Sequence, residues 1–324
     1  MKRVLAVAVA TVSMMGIIFC GCADAQDYPN RPVKVFVGFA AGSGTDILAR
    51  IVSEELQTVL KQAFVVDNRP GASAQIAASA VAKAAPDGYA LFFTTNSALS
   101  VNPHVFKSIP YDPIADFTPI GGVGSFPWIL AVDANVPVRT PKELVDYAHA
   151  NKGKINFAYG TNAVRVPAEA LNKLMKLDAA GIPYKSSPDA MIDVIGGRIQ
   201  FLVVDLAAAQ PHLKSGRLRA LAVTMSKRTS LAPDLPTIEE SLGLTDFDLS
   251  AWAGLFGPAN MPKAVVDRLS AALTEILAKP DVVKRIVNAG AEVKPSGAAA
   301  LGALVKRELE AWGRKVALAG IQPE

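Results

Sequence analysis

Apolar and polar residues follow two different periods on either side of a glycine-rich turn near the start of the chain. Val33–Val37 is a short run of β-branched and aromatic residues interrupted only by Lys34, which predicts a buried β-strand. After Thr45, apolar residues recur at the spacing of an amphipathic helix, at Ile47, Leu48, Ile51, Val52, Leu56, Val59 and Leu60. The pattern therefore predicts a strand, a turn and a long helix.

The same exchange of strand-like and helical patterns continues along most of the chain. Further strands are predicted at residues 64–66, 89–93, 128–132, 155–158, 181–184, 201–204 and 218–224. Helices are predicted at residues 74–83, 167–176 and 188–195, from the Thr140 cap to about residue 150, and over 262–319 with breaks at Pro280 and around Pro295. This alternation implies parallel sheets covered on both faces. We expect an α/β protein with two doubly wound lobes, and with the last helices packed on the first lobe.

The first 25 residues have the composition of a secretory signal peptide. A basic start, Met1-Lys2-Arg3, precedes an apolar segment at residues 4–19 and a small-residue cleavage site at Ala23-Asp24-Ala25. Because the apolar segment is too short to span a bilayer, we expect an exported, periplasmic chain that begins at Gln26. The alternative is lipidation at Cys22, although the preceding residues match the lipoprotein pattern poorly.

Composition and motifs argue against catalysis and against nucleic-acid binding. The formal net charge is +4 at pH 7, and the basic residues are scattered along the chain rather than clustered. Both cysteines lie in the predicted leader, and His104, His149 and His212 do not have the spacing of a metal pair. The chain has no Gly-x-Ser-x-Gly elbow, no HExxH motif and no GxGxxG turn after a strand. We expect a monomer with no cofactor, no metal and no catalytic residue.

The turn between the first strand and the first helix is a candidate anion site. Its candidate ligand contacts are Phe39, Ala40, Ala41, Gly42, Ser43 and Asp46. The helix that follows presents unpaired N–H groups and the positive end of its dipole, but the turn lacks the Lys-Ser/Thr tail of a nucleotide-binding P-loop. An ordinary glycine-rich βα turn is the alternative. Asp46 could order a bridging water or stabilise the first helical turn, and both can hold.

Short motifs in a fixed order extend this interpretation over nearly the whole chain. The earlier ones are Tyr28-Pro29-Asn30-Arg31-Pro32, Phe39-Ala40-Ala41-Gly42 with Asp46 and Ala49-Arg50, Asp67-Asn68-Arg69-Pro70-Gly71-Ala72, Ala85-Pro86-Asp87-Gly88-Tyr89, Asn102-Pro103, Pro110-Tyr111-Asp112-Pro113 and Asp116-Phe117. The later ones are Pro183-Tyr184-Lys185, Gly216-Arg217-Leu218-Arg219-Ala220-Leu221-Ala222, Leu235-Pro236-Thr237 and Trp252-Ala253-Gly254. With these motifs the chain resembles the extracytoplasmic receptors of tripartite tricarboxylate transporters, the TctC-type or Bug receptors.

That resemblance implies a periplasmic-binding-protein fold, with a ligand cleft between two lobes. We place lobe one at residues 26–126 plus 227–324 and lobe two at residues 127–226. Such receptors close around a small organic acid and deliver it to the integral-membrane permease subunits of the transporter. In this family the turn after the first strand binds a carboxylate through backbone amides and ordered waters. The resemblance therefore implies that residues 40–43 supply the main contacts.

On the second lobe, the resemblance points to the turn that contains Gly160, Thr161 and Asn162. Relatives carry Gly-x-Gly-Ser followed by His-Leu-Ala at this place, whereas this chain has lost the corresponding hydroxyl and imidazole and carries Arg165. We hypothesise that Arg165 binds a distal carboxylate, which would make the ligand a dicarboxylate. The alternative is a solvated arginine in the first turn of a helix.

Three further residues are candidate contacts because they follow strands. Thr95 and Asn96 end one strand and Asp205 ends another, and ligands of open α/β sheets bind beyond the carboxyl ends of strands. Asp205 could instead cap the next helix. The leading function is a receptor for a small carboxylate, either a dicarboxylate or an aromatic acid. An exported α/β hydrolase and a ligand sensor for a signalling kinase are the alternatives.

Overall fold

The structure is a computed structural model that describes residues 28–324. The predicted signal peptide at residues 1–25, the new terminus at Gln26 and the alternative lipidation of Cys22 lie outside the described residues. Between residues 28 and 324, no helix is both long enough and apolar enough to cross a bilayer.

Residues 28–324 form eleven strands and eleven α-helices. The strands are β1 (Val33–Val37), β2 (Phe64–Asn68), β3 (Ala90–Thr95), β4 (Phe117–Phe126), β5 (Trp128–Asp133), β6 (Asn156–Tyr159), β7 (Ala180–Pro183), β8 (Phe201–Asp205), β9 (Leu218–Val223), β10 (Ala251–Pro258) and β11 (Glu292–Gly297). The helices are α1 (Gly44–Leu60), α2 (Gln75–Ala82), α3 (Asn102–Val105), α4 (Pro141–Ala150), α5 (Asn162–Met175), α6 (Ser187–Ile195), α7 (Leu206–Lys214), α8 (Ile238–Leu242), α9 (Lys263–Ala278), α10 (Pro280–Asn288) and α11 (Ala298–Ala319). A 3₁₀ turn at Ala72–Ala74 and a π-helical segment at Ser97–Val101 complete the set.

The strands assemble into two sheets with helices around them. The first sheet has the order β11-β4-β10-β3-β1-β2, and the second has the order β7-β6-β8-β5-β9. In the first sheet β1 is parallel to β2 and β3, whereas β10 is antiparallel to β3 and β4. In the second sheet β6 is parallel to β7 and β8, whereas β5 is antiparallel to β8 and β9. The two-lobed α/β class is therefore confirmed, but the sheets are mixed rather than parallel throughout.

Three strands and one helix start differ from the prediction, and the helices α3, α7 and α8 are not among the predicted ranges. The sequence pattern does not predict β4, β10 or β11, and the expected helix break around Pro295 is the strand β11. β4 carries Gly121, Gly122 and Gly124 because β11 lies so close that a Cβ on Gly124 would overlap the Glu292 carbonyl. The helix predicted from residue 167 begins at Asn162, and the Thr161 side chain caps it.

The chain passes between the sheets at two places. Pro127 separates β4 from β5, and the segment after β9 leads back to β10. At the second crossing, the Thr224 N–H donates to the Trp128 carbonyl at 3.0 Å, and its own carbonyl accepts from the Leu249 N–H at 2.9 Å. The strands of the first sheet lie within residues 33–126 and 251–297, and those of the second lie within 128–223. The lobe boundaries at 126/127 and 226/227 stay a prediction.

The C-terminal helices pack mainly on the first sheet, as expected, but α11 also contacts the second lobe. α9 and α10 pack on α1, whereas α11 packs on β4 and the π-helical segment and also on α5. The ring of Trp312 on α11 lies 6.1 Å, centroid to centroid, from the ring of Trp128 on β5. The last helix thus links the two lobes.

Candidate functional site

A cavity of about 550 Å³ lies where the carboxyl ends of parallel strands from both sheets face each other. On the side of the first sheet it is lined by Gly38, Phe39, Ala40, Ser43, Thr45, Pro70, Gly71, Ala72, Ser73, Ala74, Thr95 and Ala251. On the side of the second sheet it is lined by Trp128, Gly160, Thr161, Ala163, Val164, Pro183, Tyr184, Lys185, Ser186, Ser187 and Asp205. Lys185 and Asp205 are the charged members of this lining, so backbone and hydroxyl groups make up most of its polarity.

The turn after β1 is held rigid by Asp46, whose carboxylate is buried beneath it. One carboxylate oxygen accepts from the Gly42 N–H and from Arg50 Nε, both at 3.0 Å, and the other accepts from Asn68 Nδ2 at 2.8 Å. The Ser43 N–H donates to the Ala40 carbonyl at 3.2 Å. Two of the four amides expected to hold the acid are therefore already bonded inside the turn.

On the side of the first sheet, the cavity is also lined by the turn at residues 72–74 after β2, whose backbone lies in the left-handed region. Ala72, Ser73 and Ala74 have φ values of 45°, 54° and 76°, a region that non-glycine residues adopt at a cost. Gly38 permits this arrangement because a Cβ there would overlap the Ala74 side chain. Ser73 then reaches across the cavity, where its Oγ accepts from the Asn162 N–H at 2.9 Å. The strained turn thus joins the two lobes directly.

Two adjacent turns form the wall that belongs to the second sheet. β6 and β7 are parallel neighbours, so the turn after Tyr159 and the turn after Pro183 meet at one edge. Gly160 is the point of contact, since a Cβ there would overlap the backbone of Ser186 and Ser187. In the described part of the chain, the N–H groups of Gly160, Thr161, Ser186 and Ser187 have no protein acceptor. Such amides are available to an anion.

Four helices begin at this cavity, and the N-cap residue of each lines it. These residues are Ser43 for α1, Thr161 for α5, Ser186 for α6 and Asp205 for α7. The side chains of the first three accept the backbone N–H three residues later, at 3.3, 3.4 and 3.3 Å. The N-terminal dipole ends contribute positive potential to the wall of the cavity. The arrangement suits a small anion.

Asp205 is the exception to that pattern because it brings a negative charge into the wall. Its Oδ1 accepts from Trp128 Nε1 at 3.0 Å, and its side chain lies beside the first residue of α1, where a Cβ on Gly44 would be 3.1 Å from the Asp205 Cβ. Burial raises the pKa of Asp205 to about 6, an increase that the hydrogen bonds from Trp128 and from backbone amides only partly offset. The group therefore titrates closer to neutrality than an ordinary carboxyl.

The structure brings seven of the predicted residues to the cavity and leaves six outside it. Phe39, Ala40, Ser43, Thr95, Gly160, Thr161 and Asp205 line it, whereas Ala41, Gly42, Asp46, Asn96, Asn162 and Arg165 do not. Ala41 and Gly42 are exposed, and Asp46 is occupied as described above. Asn96 is buried and donates to the Ser250 carbonyl at 2.9 Å, and Asn162 contributes its backbone N–H to Ser73. These six lie outside the lining of the cavity, and their contact with a ligand stays a prediction.

The Arg165 side chain has its partners away from the cavity. Its Nη1 lies 2.9 Å from Glu324 Oε1, its Nε lies 3.7 Å from Glu169 Oε1, and its guanidinium lies 5.3 Å from the centre of the Tyr159 ring. Glu169 follows one helical turn later, so the arginine side chain has a partner on its own helix. The side chain is only 18% exposed. Arg165 is thus neither a cavity residue nor the solvated arginine of the alternative hypothesis.

Sequence reasoning missed the two turns at residues 70–74 and 184–187. Ser186-Ser187-Pro188-Asp189 carries the signature of a helix N-terminus directly after a strand, so the rule that selected Asp205 could have found it. The turn after β2 gave no such signal, since Ala72-Ser73-Ala74 contains no glycine, asparagine or aspartate, the residues that favour a left-handed backbone.

Comparison with known proteins identifies relatives over nearly the whole chain. The sequence model described as the tripartite tricarboxylate transporter family receptor, TctC, matches residues 48–321. A UPF0065 protein of Bordetella bronchiseptica is 37% identical over 304 residues, which cover 93% of this chain and 89% of that protein. Protein BugT of Bordetella pertussis is 34% identical over 296 residues, which cover 90% of this chain and 89% of that protein.

Solved structures share the fold as well. The chain superposes with a TM-score of 0.89 on R. palustris Rpa4515 with adipate, at 30% identity, covering 92% of this chain and 100% of that one. It superposes on the periplasmic binding protein BugD with a TM-score of 0.86, at 34% identity, covering 92% and 100% of the two chains. MatC from Rhodopseudomonas palustris with bound malate gives a TM-score of 0.83, at 30% identity, covering 89% and 100%.

Proposed function

Because this chain belongs to the tripartite tricarboxylate transporter family of receptors, we propose that it captures a small carboxylate in the cavity between its lobes. The observation that supports this most directly is the pair of turns after β6 and β7. Gly160, Thr161, Ser186 and Ser187 line the cavity, and their amides lack acceptors among the described residues. A carboxylate would accept these N–H groups in charge-assisted hydrogen bonds, and the starts of α5 and α6 would add favourable dipoles.

Within that class, a dicarboxylate is the ligand we favour. The structural relatives Rpa4515 and MatC hold adipate and malate, which are both dicarboxylates. With one carboxylate on the amide turns, a second could reach the rim, where Lys185 is exposed. Lys185 would then bind the distal carboxylate, the role that the sequence analysis assigned to Arg165. An aromatic acid is the second possibility that the cavity volume of about 550 Å³ permits.

The transport role rests on the family. The matching family is one of transporter receptors, and the structural relative BugD is a periplasmic binding protein. We propose that this chain works in the periplasm, to which the predicted leader would direct it, and delivers its acid to integral-membrane permease subunits. Loss of acid uptake on deletion would distinguish this role from signalling through a sensor kinase.

A thermal-shift screen tests the ligand class. We expect succinate, malate or adipate to raise the melting temperature more than acetate, benzoate or citrate do. At about one hundred times its dissociation constant, a ligand adds about 2.7 kcal/mol to the free energy of unfolding, a rise in melting temperature of about 4 °C for a chain of this size. The acid should be recovered unchanged.

Two results would count against the proposal. If none of the six acids shifts the melting temperature, carboxylates are excluded as the ligand class. Conversion of the acid to a product would favour the hydrolase alternative. Lactose serves as a neutral control of similar polarity and should give no shift.

Arg165→Gln tests whether Arg165 binds the distal carboxylate, as the sequence suggested, or whether Lys185 does. Because the guanidinium is hydrogen-bonded to Glu324 and lies 3.7 Å from Glu169, outside the cavity, we expect the affinity for a dicarboxylate and for a matched monocarboxylate to change by less than about two-fold, since neither loses a bond. Isothermal titration calorimetry gives both affinities. A selective loss of the dicarboxylate would restore the original hypothesis, and Lys185→Gln is the comparison that should show that selectivity instead.

A further inference from the structure

Asp205 lies beside the place where a bound acid would put a second negative charge. It ends β8, and the register of β6 with β8 sets Ala158 opposite Leu202, which places Asp205 level with Thr161. Neighbouring strands are about 4.8 Å apart. An acid held by the Gly160 and Thr161 amides would therefore bring its carboxylate to within about one or two strand spacings of the Asp205 carboxylate. A second carboxylate at this distance in a partly buried cavity disfavours the ionised form of Asp205 and favours its protonation.

No cation in the described chain is bonded to Asp205. Its neighbours are the indole N–H of Trp128 and the backbone amide of Gly44. The charged or titratable groups on the surrounding elements are Asp46, Arg50, Glu54 and Glu55 on α1, Asp133 on β5, Tyr159 on β6, Arg165, Glu169 and Lys173 on α5, Asp189 and Asp193 on α6, His212 and Lys214 on α7, and Tyr184 and Lys185 across the cavity. Asp46 and Arg50 pair with each other, Asp133 is at the far end of β5, and His212 and Lys214 are in the last turn of α7. None of these groups is hydrogen-bonded to or ion-paired with Asp205.

We propose that capture of the acid takes up one proton from solvent, and that Asp205 holds this proton and donates it in a hydrogen bond to the ligand. The inference rests on the proposed function. The Oδ1 atom keeps its bond from Trp128, so the proton resides on Oδ2 and its hydrogen points to a ligand oxygen. One proton enters with each acid and returns to solvent on release.

The position of the Asp205 carboxyl beside the bound acid determines how the affinity changes with pH. In the empty cavity burial already raises the pKa of Asp205 to about 6, and a second carboxylate beside it raises that pKa further. Binding is then strongest below the pKa of the empty protein. Affinity falls as pH rises from that pKa to the pKa of the complex, by about ten-fold per pH unit.

The test uses calorimetry on the whole protein with the tightest-binding monocarboxylate or dicarboxylate of the screen. Titrations in phosphate and in Tris at about pH 7.5, buffers with different ionisation enthalpies, give the number of protons taken up. We expect close to one proton per acid, and an affinity that falls by at least about ten-fold between pH 6.5 and 8.5. Asp205→Asn should bind with no proton uptake and no pH dependence, because its amide replaces the protonated carboxyl as a donor.

A matched control is Asp133→Asn, which removes a buried carboxylate from the same sheet and should behave as the wild type. The melting temperature of Asp205→Asn at pH 7.5 should not fall below that of the wild type, because a raised pKa means that the ionised form destabilises the fold. An uptake near zero in the wild type, or unchanged uptake in folded Asp205→Asn, overturns the inference while the proposed function stands. Failure of every acid to bind the wild type overturns both.

Discussion

Replacing Gly160 with alanine should lower the affinity for the acid by at least about a hundred-fold in a chain that still folds. The new Cβ would overlap the backbone of Ser186 and Ser187, with the Ser186 carbonyl oxygen 2.7 Å away. Backbone cannot move aside as a flexible side chain can, so the turns after β6 and β7 must separate. Each hydrogen bond to a charged group is worth about 1.5–3 kcal/mol, and losing two of them gives the stated loss.

Gly297→Ala is the matched control for this prediction. Gly297 precedes α11, and a Cβ there would have no atom within 4 Å, so the same substitution should leave the affinity unchanged. Calorimetry measures both variants, and circular dichroism checks that they are folded. An unimpaired Gly160→Ala variant would mean that the acid does not use these two turns.

The fold was predictable wherever hydrophobic periodicity and turn chemistry agree. β1 has the predicted bounds, and α4 begins after Thr140, whose side chain accepts the Glu143 N–H at 3.1 Å as the cap predicts. β4 could not be predicted in this way because its glycines carry no strand signal. They are present because β11, more than 160 residues later, packs against them, as the pairing of Glu292 with Ser125 shows.

The sequence predicted which strand ends lie at the cavity, but it did not predict which partners the charged side chains would contact. The rule that ligands bind beyond the carboxyl ends of strands located Thr95, Gly160 and Asp205 at the cavity. It could not locate the Arg165 guanidinium, which depends on Glu324, 159 residues away in the chain. A charge in a sequence does not show which opposite charge it will meet. Backbone atoms at strand ends are placed by the fold itself.

The partners of the Asp46 carboxylate could likewise not be predicted from the sequence. Substitution of Asp46 is expected to have the largest effect on stability. Its side chain is 3% exposed, and every group that it contacts through hydrogen bonds is a donor: the Gly42 N–H, Asn68 Nδ2 and Arg50 Nε. Asparagine at this position would direct its own amide donor at one of these donors. Leaving buried donors unpaired costs about 1–3 kcal/mol each.

We therefore expect Asp46→Asn to lower the free energy of unfolding by about 3 kcal/mol, since at least one donor loses its acceptor and Arg50 loses its counter-charge. Denaturant unfolding measures this change. Asp267→Asn is the control, because Asp267 also pairs with a basic residue one helical turn away, Lys263 at 2.6 Å, but on the exposed surface. That change should cost less than about 0.5 kcal/mol. If Asp46 instead acts mainly on the ligand, the variant would keep its stability and lose affinity. Because both carboxylate oxygens are occupied within the protein, we expect the opposite: a less stable receptor whose folded fraction still binds the acid.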